Sequence, residues 1–599
     1  MPQDSVPPAT RQPNGDEDLS FGPHAVRYIG NFHKTLPHNE YGEVLPSAYH
    51  EFRTIAADSN AAGAGDFEGV DRGPMSFAPH QQDFVPASAL PPGSSLPTQA
   101  DRLVSPQAGR AREASGPDPS TLNMIAAPGV LSDSTAAEMV ELYWMALLRD
   151  VSLELFDVPG QLDTAIGDLK AAFQFALAND TGAGRLRLGL DLPRADDGTL
   201  RLDAKTLFRC GLPDEHHGPL ISQFFLHDVP YGTQTIKQHQ FPYRAGRDYL
   251  TDHKSWLLAQ NAGYDRHGLP YPNANSWFHD KQVFDDVPAG ATVPRKHRIR
   301  NMRDLARFVH KDALHQAYFN AALLLLGWGA PLDPGNPYRN GTYGRQRDFA
   351  TLGGPHILTQ VSEVASRALK VVWRQKWLVH RRLRPEAYGG LMQMQRNGYQ
   401  GTKRPYGLPD WVFTTAAAQA VQGKHDTLFL PMAFTSGAPP HPAYGAGHAT
   451  VAGACVTMLK AWFKEDEPIG ALIRRNVHPD TLRPLTPLQP KETPNDDLPT
   501  YAASDAGHMT VGGELNKIAA NVAMGRSMGG VHWRSDNTRS LRLGEQIATI
   551  MLRRQSIDYA EQGFRMRYCN FDGNVVTVEG GTVRVAGDAA LEAFYAKNP

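Results

Sequence analysis

Apolar residues recur at three- and four-residue spacing in a series of long stretches, separated by sequence rich in polar residues, Gly and Pro. From Ser132, SDSTAAEMVELYWMALLRDVSLELF predicts an amphipathic helix with Ser132 as N-cap and an aromatic stripe in the core. From Asn301, NMRDLARFVHKDALHQAYFNAALLLLGWG predicts one long helix closed by Gly327 or Gly329, with His310 and Asp312 near its middle. SEVASRALKVVWRQKWLVHRRLRP predicts another, ended by Pro385. Small and apolar residues after Gly447-His448 predict a buried helix that opens at a Gly-rich turn. Two further apolar helices flank GRSMGGVHWRSD, and residues 180–300 predict loops and short helices. Near the end, NVVTVEGGTVRV alternates with period two around Gly580-Gly581 and predicts a β-hairpin.

The first quarter has a different texture. Residues 1–20 are polar and Pro-rich, and residues 56–122 are dominated by Ala, Gly, Ser and Pro. The expected division is an extended, partly disordered arm over 1–122, able to wrap a neighbouring surface, and a helical domain over 123–599.

Charge narrows the partners. Lys and Arg number 60 against 62 Asp and Glu, which leaves no basic excess and excludes nucleic acid as a general partner. Runs such as Ala321 to Trp328 are too short to cross a bilayer, and the N-terminus shows no signal-peptide pattern, so a soluble, intracellular protein with no membrane partner is expected. Cys210, Cys455 and Cys569 form neither a disulfide framework nor a zinc pattern.

Three places carry candidate chemistry. Arg374, Lys376, His380, Arg381, Arg382 and Arg384 crowd eleven positions, and Lys376, His380 and Arg384 fall at i, i+4 and i+8 on one expected stripe. No carboxylate is evident beside it, so the stripe is either a solvated face or the cradle of an anion. Gly447 and His448 open a helix whose free N–H groups suit an anion, although a turn with a core histidine is the plainer reading. Arg526, His532 and Asp536 form the third; aspartate four residues after a histidine can fix its tautomer, and the same pattern also describes a capped turn.

In sequence order, Lys-x7-Arg-Pro, Gly-His at a helix start and Arg-x5-His-x3-Asp resemble the oxyanion site of vanadium-dependent haloperoxidases and the type 2 acid phosphatase superfamily. Segments such as FHKTLPHNEYGEVL, RDLARFVHKDALHQAYFNAALLLL, HPAYGAGHATVAGACVTMLKAWF and TVGGELNKIAANVAMGRSMGGVHW resemble the red-algal bromoperoxidases and their bacterial relatives. The resemblance implies a mainly all-α fold of two four-helix bundles with long loops and minor hairpins, assembled as a homo-oligomer, dimer or dodecamer. It implies vanadate as cofactor, with Lys376, Arg384 and Arg526 on its oxygens, Gly447 as N–H donor and His532 as the metal ligand. His448 becomes the acid/base for hydrogen peroxide, and Lys376 polarises the peroxide oxygen that halide attacks. The product is a hypohalous acid equivalent that halogenates electron-rich organic acceptors. Asp312 becomes a partner of Arg526.

Trp373 and His441 stand where the resemblance places halide selectivity, implying bromide and iodide as substrates with chloride admitted. The family's Ser-Gly-His is Ala446-Gly447-His448 here, which removes one hydroxyl from the oxyanion. The loop DPGNPYRNGTYGRQRDF lacks the carboxylates that bind calcium in red-algal relatives, which argues against calcium. Two other readings remain open: a phosphohydrolase with His532 as nucleophile, and a non-catalytic oligomeric shell.

Overall fold

The computed structural model describes residues 13–57, 100–113, 116–158, 160, 162–180, 188–189, 191–195, 197–265, 271, 295–493 and 497–598. They form a mostly helical molecule. In chain order its α-helices are α1 (Pro46–Ala57), α2 (Asp133–Leu147), α3 (Asp163–Asn179), α4 (His253–Ala262), α5 (Met302–Lys311), α6 (Gln316–Gly327), α7 (Gly354–Arg374), α8 (Pro385–Arg396), α9 (Ala416–His425), α10 (Gly447–Trp462), α11 (Ile469–Arg474), α12 (Val511–Met528), α13 (Arg534–Asp558) and α14 (Ala589–Lys597). Among the described residues no helix is long and apolar enough to cross a membrane.

The centre of the molecule is α10, which packs against α7, α12 and α13. Every residue of α10 except His448 is buried, and most are small. Small residues let backbones approach. A Cβ on Gly453 would stand 2.0 Å from the Leu541 carbonyl oxygen, and one on Gly544 would stand 2.1 Å from that of Thr450. These two glycines therefore fix how tightly α10 and α13 pack.

Ser132 caps α2 as expected, its hydroxyl accepting from the Thr135 N–H. Gly580 and Gly581 take φ of 50° and 78°, the turn geometry that closes β2 (Val575–Glu579) onto β3 (Thr582–Val585), with β1 (Met566–Cys569) completing a three-stranded sheet.

Two expectations are corrected. The stretch from Asn301 is two helices, because Asp312 leaves helical geometry at φ −63°, ψ 149°. Aspartate is a poor helix-interior residue, and here its carboxylate is engaged by His448. The basic stretch is likewise not one helix. After α7 the chain widens into a π-helical turn over Gln375–His380, Arg381 is left-handed at φ 44°, and Arg384 is the extended N-cap of α8. Lys376, His380 and Arg384 therefore share no helical stripe.

The described part of the N-terminal region packs on the helical body. Tyr28, Phe32, Leu36, Tyr49 and Phe52 build a small core with Trp377 and Leu378 of the π-helical turn. Buried ion pairs Lys34–Glu386 at 2.6 Å and Arg381–Glu17 at 2.6 Å tie the region to the body. Residues 1–12 and 58–99 of the expected arm lie outside the described residues.

Candidate active site

The change of helical pitch after α7 sends neighbouring basic side chains in different directions, and their partners sort them. Arg381 meets Glu17, and Arg382 meets Glu138 at 2.9 Å and Asp536 at 2.8 Å. His380 turns away and sets its ring edge-on to Tyr444. Lys376 and Arg384 have no carboxylate partner among the described residues, and neither has Arg526 on α12. Lys376 Nζ donates to the carbonyls of Pro442 at 2.8 Å and Ala443 at 3.2 Å. Arg384 donates to the His441 and Val531 carbonyls and to ring nitrogens of His441 and His532. Arg526 donates to the Val309 carbonyl at 2.7 Å and the Tyr271 hydroxyl at 3.0 Å.

These three cations are 0 %, 1 % and 3 % exposed. Burying a cation without a counter-charge costs several kcal/mol, on the order of 3–5 when a buried pair is broken, so a cluster of three favours an anion among them. The Lys376 ammonium is pushed well below its ordinary pKa by burial and by Arg384, with Arg526 adding to the effect. Burial and Arg526 lower Arg384 to about 9.

His532 follows the turn at Gly529-Gly530 and precedes α13. Its Nδ1 lies 3.0 Å from Asp536 Oδ2, and its Nε2 lies 3.0 Å from an Arg384 nitrogen. Arginine only donates, so Nε2 is the acceptor and the ring proton is on Nδ1. Asp536 sits in the first turn of α13, where Oδ2 also accepts the Trp533 N–H and Oδ1 accepts from Arg382. Burial, with Arg384, Lys376 and Arg526, holds His532 neutral, its pKa well below the ordinary value. A neutral imidazole with a fixed tautomer, its Nε2 lone pair facing Arg384 and with Lys376 and Arg526 close enough to lower its pKa, suits a metal centre in an oxyanion.

His448 occupies the first turn of α10. Its Nε2 lies 3.0 Å from Asp312 Oδ1, so the Nε2 proton is donated to the carboxylate and Nδ1 is left as the basic nitrogen, without a hydrogen-bond partner among the described residues. Burial lowers its pKa; Asp312 opposes that shift and Arg526 reinforces it. Ala446 is the N-cap of α10 and offers the helix no side-chain cap, while its own N–H donates to Ser540 Oγ at 2.8 Å. The Trp373 ring stacks at a tilt on His441, 5.1 Å between centroids, lies 5.6 Å from Lys376 Nζ, and donates through Nε1 to the Val104 carbonyl. A Cβ on Gly447 would stand 3.0 Å from that ring, so glycine keeps the helix mouth open beside the tryptophan.

Comparison with known proteins places the chain in a family. Residues 357–558 match a family model described as the VCPO second helical-bundle domain. The vanadium-dependent bromoperoxidase of Corallina pilulifera is 32% identical, over 94% of this chain and 94% of that protein. The vanadium-dependent bromoperoxidase of Ascophyllum nodosum is 30% identical, over 96% of this chain and 89% of that one. The solved homohexamer of the second vanadate-dependent bromoperoxidase, AnII, from Ascophyllum nodosum superposes with a TM-score of 0.71 at 26% identity, covering 97% of this chain and 88% of that one. This chain belongs to the vanadium-dependent bromoperoxidase family.

Every candidate residue except Asp312 lies within the stretch that matches the family's second bundle. The structure brings Trp373, Lys376, Arg384, His441, Gly447, His448, Arg526 and His532 together, with Asp312 and Asp536 behind the two histidines. One pairing differs from expectation: Asp312 meets His448, not Arg526. Several contributors had no signal in the sequence. The carbonyls of Val309, Pro442 and Val531 are backbone, and Tyr271 comes from a stretch with no motif. Glu138 had a weak one, being a carboxylate inside the apolar stripe of α2.

Proposed function

We propose that this chain is a vanadate-dependent haloperoxidase that uses hydrogen peroxide to oxidise bromide and iodide to a hypohalous acid equivalent that halogenates electron-rich organic compounds. The observation that carries the reading is that Lys376, Arg384 and Arg526, all buried and with no carboxylate partner among the described residues, gather around His532, whose Nε2 lone pair faces Arg384. This donor set fits vanadate. Lys376, Arg384, Arg526 and the N–H of Gly447 would hold its oxygens, and His532 Nε2 would be its single protein ligand. Bound there, vanadate supplies a Lewis-acidic vanadium(V) centre that activates peroxide toward halide without changing oxidation state.

The chain's own residues do the rest. His448 Nδ1 accepts a proton from hydrogen peroxide, and Asp312 stabilises the imidazolium that results. Lys376 donates a hydrogen bond to a peroxide oxygen and makes it more electrophilic. Asp536 keeps the proton of His532 on Nδ1. Trp373 and His441 wall the site and set its halide preference.

A paired assay tests the reading. Peroxide, bromide and vanadate together are expected to brominate a diketone reporter, whereas a phosphomonoester without vanadate is expected to remain intact. Phosphate release without bromination would establish the phosphohydrolase with His532 as nucleophile, and silence in both would establish the inactive shell. AnII is a homohexamer, and this chain is expected to form a homo-oligomer as well. A monomeric mass by light scattering would contradict that.

A further inference from the structure

The loop over residues 436–443 holds two of the three cage cations from its far end: the Pro442 and Ala443 carbonyls accept from Lys376, and the His441 carbonyl and ring accept from Arg384. Its near end is tied by a pair that no step above uses. Lys34 Nζ lies 2.6 Å from Glu386 Oε1 and donates to the Ser436 carbonyl at 2.8 Å. Glu386 Oε2 accepts the Ala438 N–H at 2.6 Å. Gly437, between those two anchors, takes φ of 70°, and a Cβ there would stand 1.9 Å from Glu386 Oε2. Glycine therefore lets the turn close onto the carboxylate.

The pair belongs to the same framework as the cage. Glu386 stands two residues after Arg384, in the first turn of α8. Phe32 N–H donates to the Arg381 carbonyl at 2.7 Å, Leu383 N–H donates to the Gly30 carbonyl at 3.1 Å, and Ala443 N–H donates to the Arg382 carbonyl at 3.0 Å. The segment that delivers Arg384 to the anion is thus laid between the chain leading to Lys34 and the end of the loop. Both side chains of the pair are buried, at 2 % and 1 % exposure. Burial lowers the pKa of the Lys34 ammonium, Glu386 opposes the fall, and Arg384 is near enough to deepen it. Against apolar residues of equal volume a buried ion pair adds little net stability, and what it adds is a fixed geometry: here one turn gripped at two points.

We propose that Lys34 and Glu386 are positioning residues for the oxyanion cage: by fixing Ser436 and Ala438 they set where the Pro442 and Ala443 carbonyls hold the Lys376 ammonium and where His441 meets Arg384. The proposal rests on the haloperoxidase reading, and its test separates the two.

Two variants of the full-length chain test it. Lys34→Met leaves the Glu386 charge buried and unpaired and is expected to melt at a markedly lower temperature. Lys34→Met combined with Glu386→Leu leaves no buried charge and is expected to regain most of that loss, because an apolar pair replaces the ion pair. The turn is released all the same. In equilibrium dialysis without peroxide, below the melting temperature of either protein, the double variant is expected to bind vanadate at least about tenfold more weakly than the parent. In its vanadate-free crystals Lys376 Nζ is expected to have moved out of hydrogen-bond range of the Pro442 carbonyl. Parental vanadate affinity in the double variant, or a Lys376 still on both carbonyls, would show that the pair serves folding alone and would overturn the proposal. A parent protein that binds no vanadate would overturn the haloperoxidase reading instead, and the place of Lys376 in the vanadate-free crystals would still decide the role of the pair.

Discussion

His448 and Asp312 face each other across the break between α5 and α6, with His448 Nε2 3.0 Å from Asp312 Oδ1. The carboxylate fixes which ring nitrogen is basic and opposes the fall in pKa that burial imposes. Asp312→Asn keeps an oxygen acceptor and removes the charge. The His448 pKa is then expected to fall further, and kcat/KM for peroxide to drop by about tenfold to a hundredfold, with its acid limb moved to lower pH. An unchanged pH profile would show that Asp312 does not set the basicity of His448.

Asp536 does for His532 what Asp312 does for His448, and it also anchors Arg382 and the Trp533 N–H. Asp536→Asn is expected to weaken vanadate binding by about tenfold to a hundredfold, because the amide removes the charge and can pair with either tautomer, through its oxygen or its nitrogen, so the Nδ1 proton is no longer enforced. Equilibrium dialysis with vanadate measures this without turnover. Affinity equal to that of the parent protein would show that the tautomer is held by other means.

Ala446 leaves α10 without a side-chain cap and offers the oxyanion no hydroxyl of its own. Ala446→Ser supplies both. A hydroxyl bonded to a charged oxygen is worth about 1.5–3 kcal/mol, so vanadate affinity is expected to rise by about tenfold or more. An N-cap serine is expected to add about 1 kcal/mol of stability to the protein without vanadate. Titration and thermal melting read the two effects separately, and a gain in melting temperature alone would place the hydroxyl on the helix and away from the oxyanion.

Far from the cage, Glu465 and Glu545 are both raised from the ordinary value of 4.5 to about 7, in each case first by burial, with Lys460 opposing the shift. Between those values the folded chain binds more protons than the unfolded one. The stability of the neutral carboxyls is therefore complete below 4.5 and is lost as pH rises through about 7. Melting temperature is expected to fall from about pH 5 to about pH 8, and Glu545→Gln, neutral throughout, is expected to flatten the slope. A slope unchanged in Glu545→Gln would mean that other groups carry it.

The sequence exposed much of the helical framework, because amphipathic spacing, the Ser132 cap and the Gly580-Gly581 turn are local properties. It also showed the residue types of the site: a crowded basic run, Gly-His at a helix start, and Asp536 one helical turn beyond His532. It could not show where helices break. Nothing in the spacing distinguishes continued α-helix after Arg374 from a π-helical turn and a left-handed Arg381, since packing of Trp377 and Leu378 against Tyr28, Phe32 and Phe52 favours the wider turn.

What the sequence by itself determined is which side chains are present and which local elements hold them. What only the tertiary structure decided is which cations are free to bind. Arg381 and Arg382 look no different in sequence from Lys376 and Arg384, yet Glu17, Glu138 and Asp536 reach the first two and no described carboxylate reaches the others. The reason is physical: whether a buried charge is neutralised depends on groups a few ångströms away in space, and here those groups lie more than a hundred residues away along the chain.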